Sequence, residues 1–231
     1  MNALILPQNG AIVAMANPLA GPDKQLAAWF HAHLTQTFVT VLRALSEPGS
    51  GTWIGIVLSF LVLFFLWKRS WPAIVTLIVA VPGGMFMNEL LKILVHRPRP
   101  FLEGPFVDWS GYSFASGHTI GATLLYGQLA LFIVPAMKAR HWRALTSSTA
   151  IMIVLLVGFS RIALGAHYLT DVLAAIVFGV LWLAFCLVAG KPMRRVNQQY
   201  QVAEIVTLPE GGEVVALPVE QTKAPAQNLL S

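Results

Sequence analysis

The sequence predicts an all-α, polytopic membrane helical bundle. Only 11% of the 231 residues are charged while 56% are hydrophobic, against roughly 25% charged in an ordinary soluble domain. The apolar residues gather in five runs, each near the ~20 residues that cross a bilayer as a helix. Basic residues sit in short clusters between those runs, as loops flanking membrane helices carry them. That placement explains a net charge of +5 without nucleic acid and leaves the bilayer as the partner. The single cysteine, Cys186, has no disulfide partner in the chain and does not report a redox compartment.

Residues 1–22 are mildly apolar but interrupted by Pro7, Asn9, Gly10 and Pro18. They lack a basic n-region and an unbroken apolar stretch, so no cleaved signal peptide is expected. Residues 23–190 form the membrane-embedded domain. Within it, residues 23–45 alternate apolar positions (Leu26, Trp29, Phe30, Leu34, Phe38, Val41, Leu42, Leu45) with polar ones (Lys24, Gln25, His31, His33, Gln36, Arg43). That spacing approximates one helical face and predicts an amphipathic helix lying in the interface. The competing reading is a weakly hydrophobic sixth span.

The clear spans are residues 51–67, 71–91, 119–137, 144–163 and 168–190, the fourth more polar at its start. Lys68 and Arg69 end the first, Lys138, Arg140 and Arg143 follow the third, and Lys191, Arg194 and Arg195 follow the last. With alternating spans all three clusters fall on one side, which the positive-inside rule makes cytoplasmic. The opposite side receives residues 1–22, the loop 92–118 and the turn at 161–167. Residues 191–231 are expected to be a cytoplasmic tail, disordered or with a small hairpin at Gly211-Gly212.

The residues able to do chemistry fall on that opposite side. Lys92, His96, Arg97 and Arg99 follow the second span, Ser116-Gly117-His118 opens the third, and Arg161, His167 and Asp171 lie at the turn between the last two. Taken singly, the basic residues read as interfacial snorkelers and Ser116 as a helix cap. Together they describe an anion site. Pro98 and Pro100 extend the backbone after the second span, so Lys92 and Arg99 approach one point. A helix N-terminus at Ser116-Gly117-His118 offers backbone N–H groups, with Gly117 permitting close approach. Arg161 adds a bidentate donor for phosphate oxygens. His167 and Asp171, four apart, share a helical face, so the carboxylate can fix the imidazole tautomer and leave the other nitrogen as nucleophile or base. His118 could serve as acid for a leaving oxygen. Two histidines and an aspartate could also hold a metal, but three cations around a divalent ion are electrostatically unfavourable. No metal and no cofactor are therefore expected.

These segments resemble the type-2 phosphatidic acid phosphatase superfamily of integral membrane lipid phosphatases. Its signature of Lys-x6-Arg-Pro, Pro-Ser-Gly-His and Ser-Arg-x5-His-x3-Asp is matched by Lys92…Arg99-Pro100, by Ala115-Ser116-Gly117-His118, and by Ser160-Arg161…His167…Asp171. Alanine stands where the second motif begins with proline, a change that removes no functional group. The resemblance covers roughly residues 20–190. It implies attack by His167 on phosphorus to give a phosphohistidine, orientation by Asp171, and protonation of the leaving group by His118. It further implies that Lys92, Arg99, Ser116, Gly117 and Arg161 hold the phosphate. Arg97 falls off the signature's spacing and is expected to line the substrate entrance.

The function expected is hydrolysis of a lipid phosphate or diphosphate at the outer face of a bacterial cytoplasmic membrane, with undecaprenyl diphosphate the first expectation. Phosphatidylglycerophosphate, phosphatidic acid and a lipid A phosphate are the alternatives, as is phosphotransfer to another lipid. From another class, an anion transporter or channel would need polar groups at several depths, whereas these sit at one face.

Overall fold

A computed structural model describes residues 19–101, 103–104, 107–108 and 111–206. The described chain is helical: α1 (Ala20–Ala32), α2 (Gln36–Ser46), α3 (Gly51–Trp67), α4 (Trp71–Val95), α5 (Gly117–Ile133), α6 (Arg140–Ala163) and α7 (Leu169–Val206). Two 3-10 turns, Glu47–Gly49 and Val134–Ala136, join α2 to α3 and continue α5. Two residue pairs, β1 (Glu103–Gly104) and β2 (Val107–Asp108), meet antiparallel in the α4–α5 connection. Residues 1–190 form one compact unit and 191–231 another.

Among the described residues, five segments are long and apolar enough to cross a membrane: Gln36–Trp67, Trp71–Val95, Gly117–Ala136, Arg140–Ala163 and Leu169–Gly190. Their flanks are apolar and open, with Phe60 70% and Leu181 63% exposed, as expected of a surface that faces lipid tails. The interior is small and dense. Leu77, Val81, Ile120, Leu124, Leu125 and Ala175 form its buried centre. Pro82 stands inside α4, where it can offer no N–H to the helix ladder. Beside it the Trp182 indole N–H donates to the Val79 and Ala80 carbonyls at 3.2 and 3.1 Å, tying α7 to this stretch.

Residues 23–45 are not one helix. The chain breaks at His33–Thr35, and Thr35 caps α2 through its side-chain oxygen, which accepts from the Phe38 N–H at 3.3 Å. Helices of 13 and 11 residues reach about 20 and 17 Å, short of the ~30 Å hydrocarbon thickness, so this segment supplies no sixth span. Val39 and Leu42 of α2 bury against Ala163 and Leu164, with Phe30, Leu34 and Phe38 around them. The apolar face read from the sequence therefore covers the end of α6. The helical backbone of α7 runs on to Val206. Residues 207–231, including Gly211-Gly212, lie outside the described residues, as do residues 1–18.

Alternation of α4, α5, α6 and α7 brings the C-terminal ends of α4 and α6 to the N-terminal ends of α5 and α7. Lys92, Gly117, Arg161 and Asp171 stand at those four ends. The α3–α4 and α5–α6 connections, with Lys68, Arg69 and Lys138, are at the other end.

Candidate active site

The turn carrying His167 is set by how α6 stops. Gly165 adopts φ +69°, the left-handed conformation that glycine takes freely. Its N–H donates to the Ile162 carbonyl at 2.9 Å and that of Ala166 to the Arg161 carbonyl at 3.1 Å, the paired bonds of a Schellman end. A Cβ on Gly165 would also stand 3.0 Å from a Phe101 ring carbon. Two residues on, His167 is 2% exposed.

Its Nδ1 lies 2.7 Å from the Ser113 carbonyl oxygen and 3.7 Å from Asp171 Oδ2. The acceptor that fixes the tautomer is thus the Ser113 carbonyl, not the carboxylate expected from the sequence. A carbonyl oxygen only accepts, so Nδ1 carries the proton and Nε2 the lone pair. Nε2 faces Arg99 Nη1 at 3.4 Å. Burial is the first cause that pushes the His167 pKa down, to about 4, and Arg161 and Arg99 add to it against the opposing pull of Asp171. The imidazole is neutral at ordinary pH.

Asp171 is fully buried in the first turn of α7. Its Oδ2 accepts from the Tyr168 N–H at 3.0 Å and from the Ser113 hydroxyl. Its Oδ1 accepts from Arg97 Nη1 at 2.5 Å. A helix N-terminus suits a carboxylate, and these donors compensate its burial. Arg97 reaches further: Nη2 donates to Asp23 Oδ2 at 3.0 Å, and the guanidinium lies over the Tyr168 ring, 4.2 Å from its centre. Asp23, 2% exposed, accepts from the Thr170 N–H at 3.2 Å and from the Thr170 hydroxyl. Helix α1 is thereby pinned to the start of α7. Arg97 does not stand at an entrance; it joins two buried carboxylates behind His167.

The phosphate-binding candidates occupy the other walls. Arg99 donates through Nε to the Gly111 carbonyl at 3.1 Å and through Nη1 to that of Ala166 at 3.0 Å, so it is held rigidly beside Nε2. Its pKa is lowered by desolvation, with Asp171 opposing. Arg161, 4% exposed, donates to the Ser46 hydroxyl of α2 at 3.0 Å. Lys92 pairs with Glu89 at 2.7 Å, and its Nζ lies 3.3 Å from where a Gly117 Cβ would stand. Any larger residue at 117 would push the ammonium from the first turn of α5. Ser116 makes no side-chain cap bond and instead accepts from the Thr119 hydroxyl at 3.0 Å, while its N–H donates to the Asp171 carbonyl at 3.3 Å. Arg161, His167, Lys92 and Arg99 all act electrostatically on His118, so the three sequence clusters converge on one place.

The arrangement is a recessed histidine whose Nε2 faces Arg99 at 3.4 Å, a second histidine, and three cations at a helix N-terminus. Among the described residues no three of His, Cys, Asp and Glu are grouped as metal ligands would be. Ser113 and Asp23 were missed from the sequence. Ser113 lies in the long α4–α5 connection with no motif around it, and nothing local to α1 sets Asp23 apart.

The PAP2 superfamily model matches residues 71–194 of this chain. The chain belongs to the PAP2 superfamily. Among its relatives, phosphatidylglycerophosphatase B of Bacillus subtilis is 34% identical over 128 residues, 54% of this chain and 61% of that protein. Lipid A 4'-phosphatase of Porphyromonas gingivalis is 27% identical over 147 residues, 57% of this chain and 59% of that protein. Undecaprenyl-diphosphatase BcrC of Bacillus subtilis is 31% identical over 105 residues, 43% and 48% of the two. The chain thus spans about half to three-fifths of the length of these PAP2 relatives. Two solved structures share the fold. The transmembrane PAP2 type phosphatidylglycerolphosphate phosphatase from Bacillus subtilis superposes with a TM-score of 0.69 at 23% identity, covering 79% of this chain and 91% of that one. Aquifex aeolicus LpxE gives 0.56 at 20% identity, covering 72% and 94%.

Proposed function

We propose that this PAP2 protein is a membrane phosphatase that removes the terminal phosphate of a lipid through a phosphohistidine on His167. The observation that carries the reading is the pair of contacts made by the His167 ring. Nδ1 is engaged by the Ser113 carbonyl at 2.7 Å, and Nε2 points at Arg99 at 3.4 Å. A neutral imidazole so held presents its lone pair where cations gather phosphate oxygens.

In the first step the Nε2 lone pair forms a bond to phosphorus while the bond to the leaving oxygen breaks, and His118 gives that oxygen its proton. In the second, water attacks phosphorus, His118 takes a proton from it, and the P–N bond breaks to release phosphate and restore His167. Arg99, Arg161 and Lys92 neutralise the oxygens as charge moves between them, and the first N–H groups of α5 add the helix N-terminus. Asp171 stabilises positive charge developing on the imidazole from 3.7 Å.

The three relatives' names divide among a phosphatidylglycerophosphate, a lipid A phosphate and undecaprenyl diphosphate. What these share is a phosphate at the end of a lipid. The basic connections at the end opposite the site support an active site on the non-cytoplasmic face of a bacterial inner membrane. The test is phosphate release from lipid phosphates by the full chain in detergent, with EDTA present. Release that disappears in His167→Ala and an acid-labile phosphorylated protein in rapid-quench samples are expected. Undiminished release by His167→Ala refutes the nucleophile.

A further inference from the structure

The reaction proposed above puts a positive charge on a buried ring. When Nε2 gives its lone pair to phosphorus, the His167 ring keeps its Nδ1 proton and becomes a cation. Arg161 and Arg99 act on that ring as like charges, and Asp171 is the carboxylate that acts against them. The charge that Asp171 can lend to the ring therefore bears on the rate.

Other groups draw on that charge. The Tyr168 N–H and the Ser113 hydroxyl donate to Oδ2, and the first turn of α7 adds the positive end of a helix. Arg97 Nη1 donates to Oδ1 at 2.5 Å. A guanidinium facing a single carboxylate at this distance would largely cancel it, and the pair would show only a weak field to a third group.

Arg97 faces two carboxylates. Its Nη2 donates to Asp23 Oδ2 at 3.0 Å, and the Asp23 side chain is 1% exposed. Thr170 links the same groups, since its hydroxyl accepts from Arg97 Nη1 at 2.7 Å and donates to Asp23 Oδ2, while its N–H donates to Asp23 Oδ1 at 3.2 Å. Asp23, Arg97 and Asp171 together carry one net negative charge, whereas Arg97 and Asp171 alone carry none. Asp23 lies in the first turn of α1, outside residues 71–194 that the superfamily model matches.

We propose that Asp23 is a positioning residue for the phosphatase reaction: it holds Arg97 between two carboxylates, so that Asp171 keeps negative charge for the His167 ring as phosphorus is attacked. The proposal rests on the phosphohistidine reading. Helix α1 is then a working part of the site as well as a cover for its back.

The test measures phosphate release by the full chain in detergent micelles with EDTA. The substrate is whichever of phosphatidylglycerophosphate, a lipid A phosphate and undecaprenyl diphosphate the wild type cleaves fastest. An opposite charge at the range of Asp171, 3.7 Å from the ring, shifts a charge equilibrium by about one to three powers of ten. Asp23→Asn, which weakens that charge, is expected to lower kcat by about 10-fold. KM should stay within about 2-fold, because the ring becomes charged only after substrate is bound. Asp23→Asn/Arg97→Gln removes the cation as well and restores the net negative charge, so its kcat should return to within about 3-fold of wild type. A role in folding or docking alone predicts the reverse, since the double variant loses more bonds than the single. A kcat within about 2-fold of wild type in Asp23→Asn, or a double variant no faster than the single, overturns the role of Asp23 and leaves the phosphatase reading standing. No release from any of the three lipids by the wild type, or undiminished release by His167→Ala, overturns both. Should Asp23→Asn fail to fold, the double variant decides by itself, and a kcat about 10-fold or more below wild type overturns the proposal.

Discussion

Replacing Arg97 by methionine tests the buried charge network behind His167. The guanidinium is 14% exposed and bonds Asp171 Oδ1 at 2.5 Å and Asp23 Oδ2 at 3.0 Å, with both carboxylates all but fully buried. Methionine keeps much of the packing but leaves two buried carboxylates facing each other at one helix end. Removing one partner of a buried pair costs about 3–5 kcal/mol. Part of that is offset here, because Asp23 keeps the Thr170 N–H and Asp171 keeps Tyr168 and Ser113. A net loss of about 3 kcal/mol is the expectation, equivalent to a fall of roughly 6–12 °C in unfolding midpoint for a chain of this size. The double variant Asp23→Asn/Arg97→Met removes one orphaned charge and should recover about 1–2 kcal/mol of it, a coupling typical of residues in contact. The assay is the midpoint of heat-induced loss of monodisperse protein in detergent at fixed scan rate. An Arg97→Met midpoint within about 2 °C of wild type, or a double variant no more stable than the single, refutes the network's role.

Other consequences follow from the same geometry. Gly165→Ala places a methyl 3.0 Å from Phe101 at φ +69°, and should cost about 1–2 kcal/mol and lower kcat by displacing His167, read by unfolding midpoint and turnover together. Ser113→Ala removes the hydroxyl bond to Asp171 but leaves the carbonyl that holds Nδ1, so turnover should fall by about 10-fold or less, far less than in His167→Ala. The pH dependence of stability has a definite sign. The His167 pKa, about 4 in the folded chain against about 6.5 unfolded, means that the unfolded chain binds the proton more tightly. Stability should therefore drop as pH falls from about 6.5 toward about 4, and His167→Asn should flatten that limb of a midpoint-against-pH curve. If His167 attacks phosphorus as proposed, the same neutral ring is available in mildly acidic medium, so the acid limb of kcat/KM should not show a loss of Nε2 until pH nears about 4.

Much of the candidate site was legible because its polar groups are expensive in a membrane and have few other reasons to be there. Lys92, Arg99, Ser116, Gly117, His118, Arg161, His167 and Asp171 all stand at one end of the bundle, as alternating spans require. Asp171 was assigned to His167 from their four-residue spacing, a helical argument. His167 instead lies in the turn before α7, and there the nearest acceptor is a carbonyl from a distant loop. Arg97 was assigned to an entrance because its motif spacing was wrong. Its actual role depends on α1, whose docking no local pattern records.

Hydrophobic runs near a membrane's thickness and the side on which cations cluster determined the class, the number of spans and the end at which the candidate site residues gather, because those depend on transfer from water and are summed residue by residue. The break at His33–Thr35, the Schellman turn at Gly165, the Ser113 carbonyl on Nδ1 and the Asp23–Arg97–Asp171 bridge were decided only by tertiary structure. Each is a contact between segments far apart in sequence, and a hydrogen bond's partner depends on three-dimensional distance rather than on residue type.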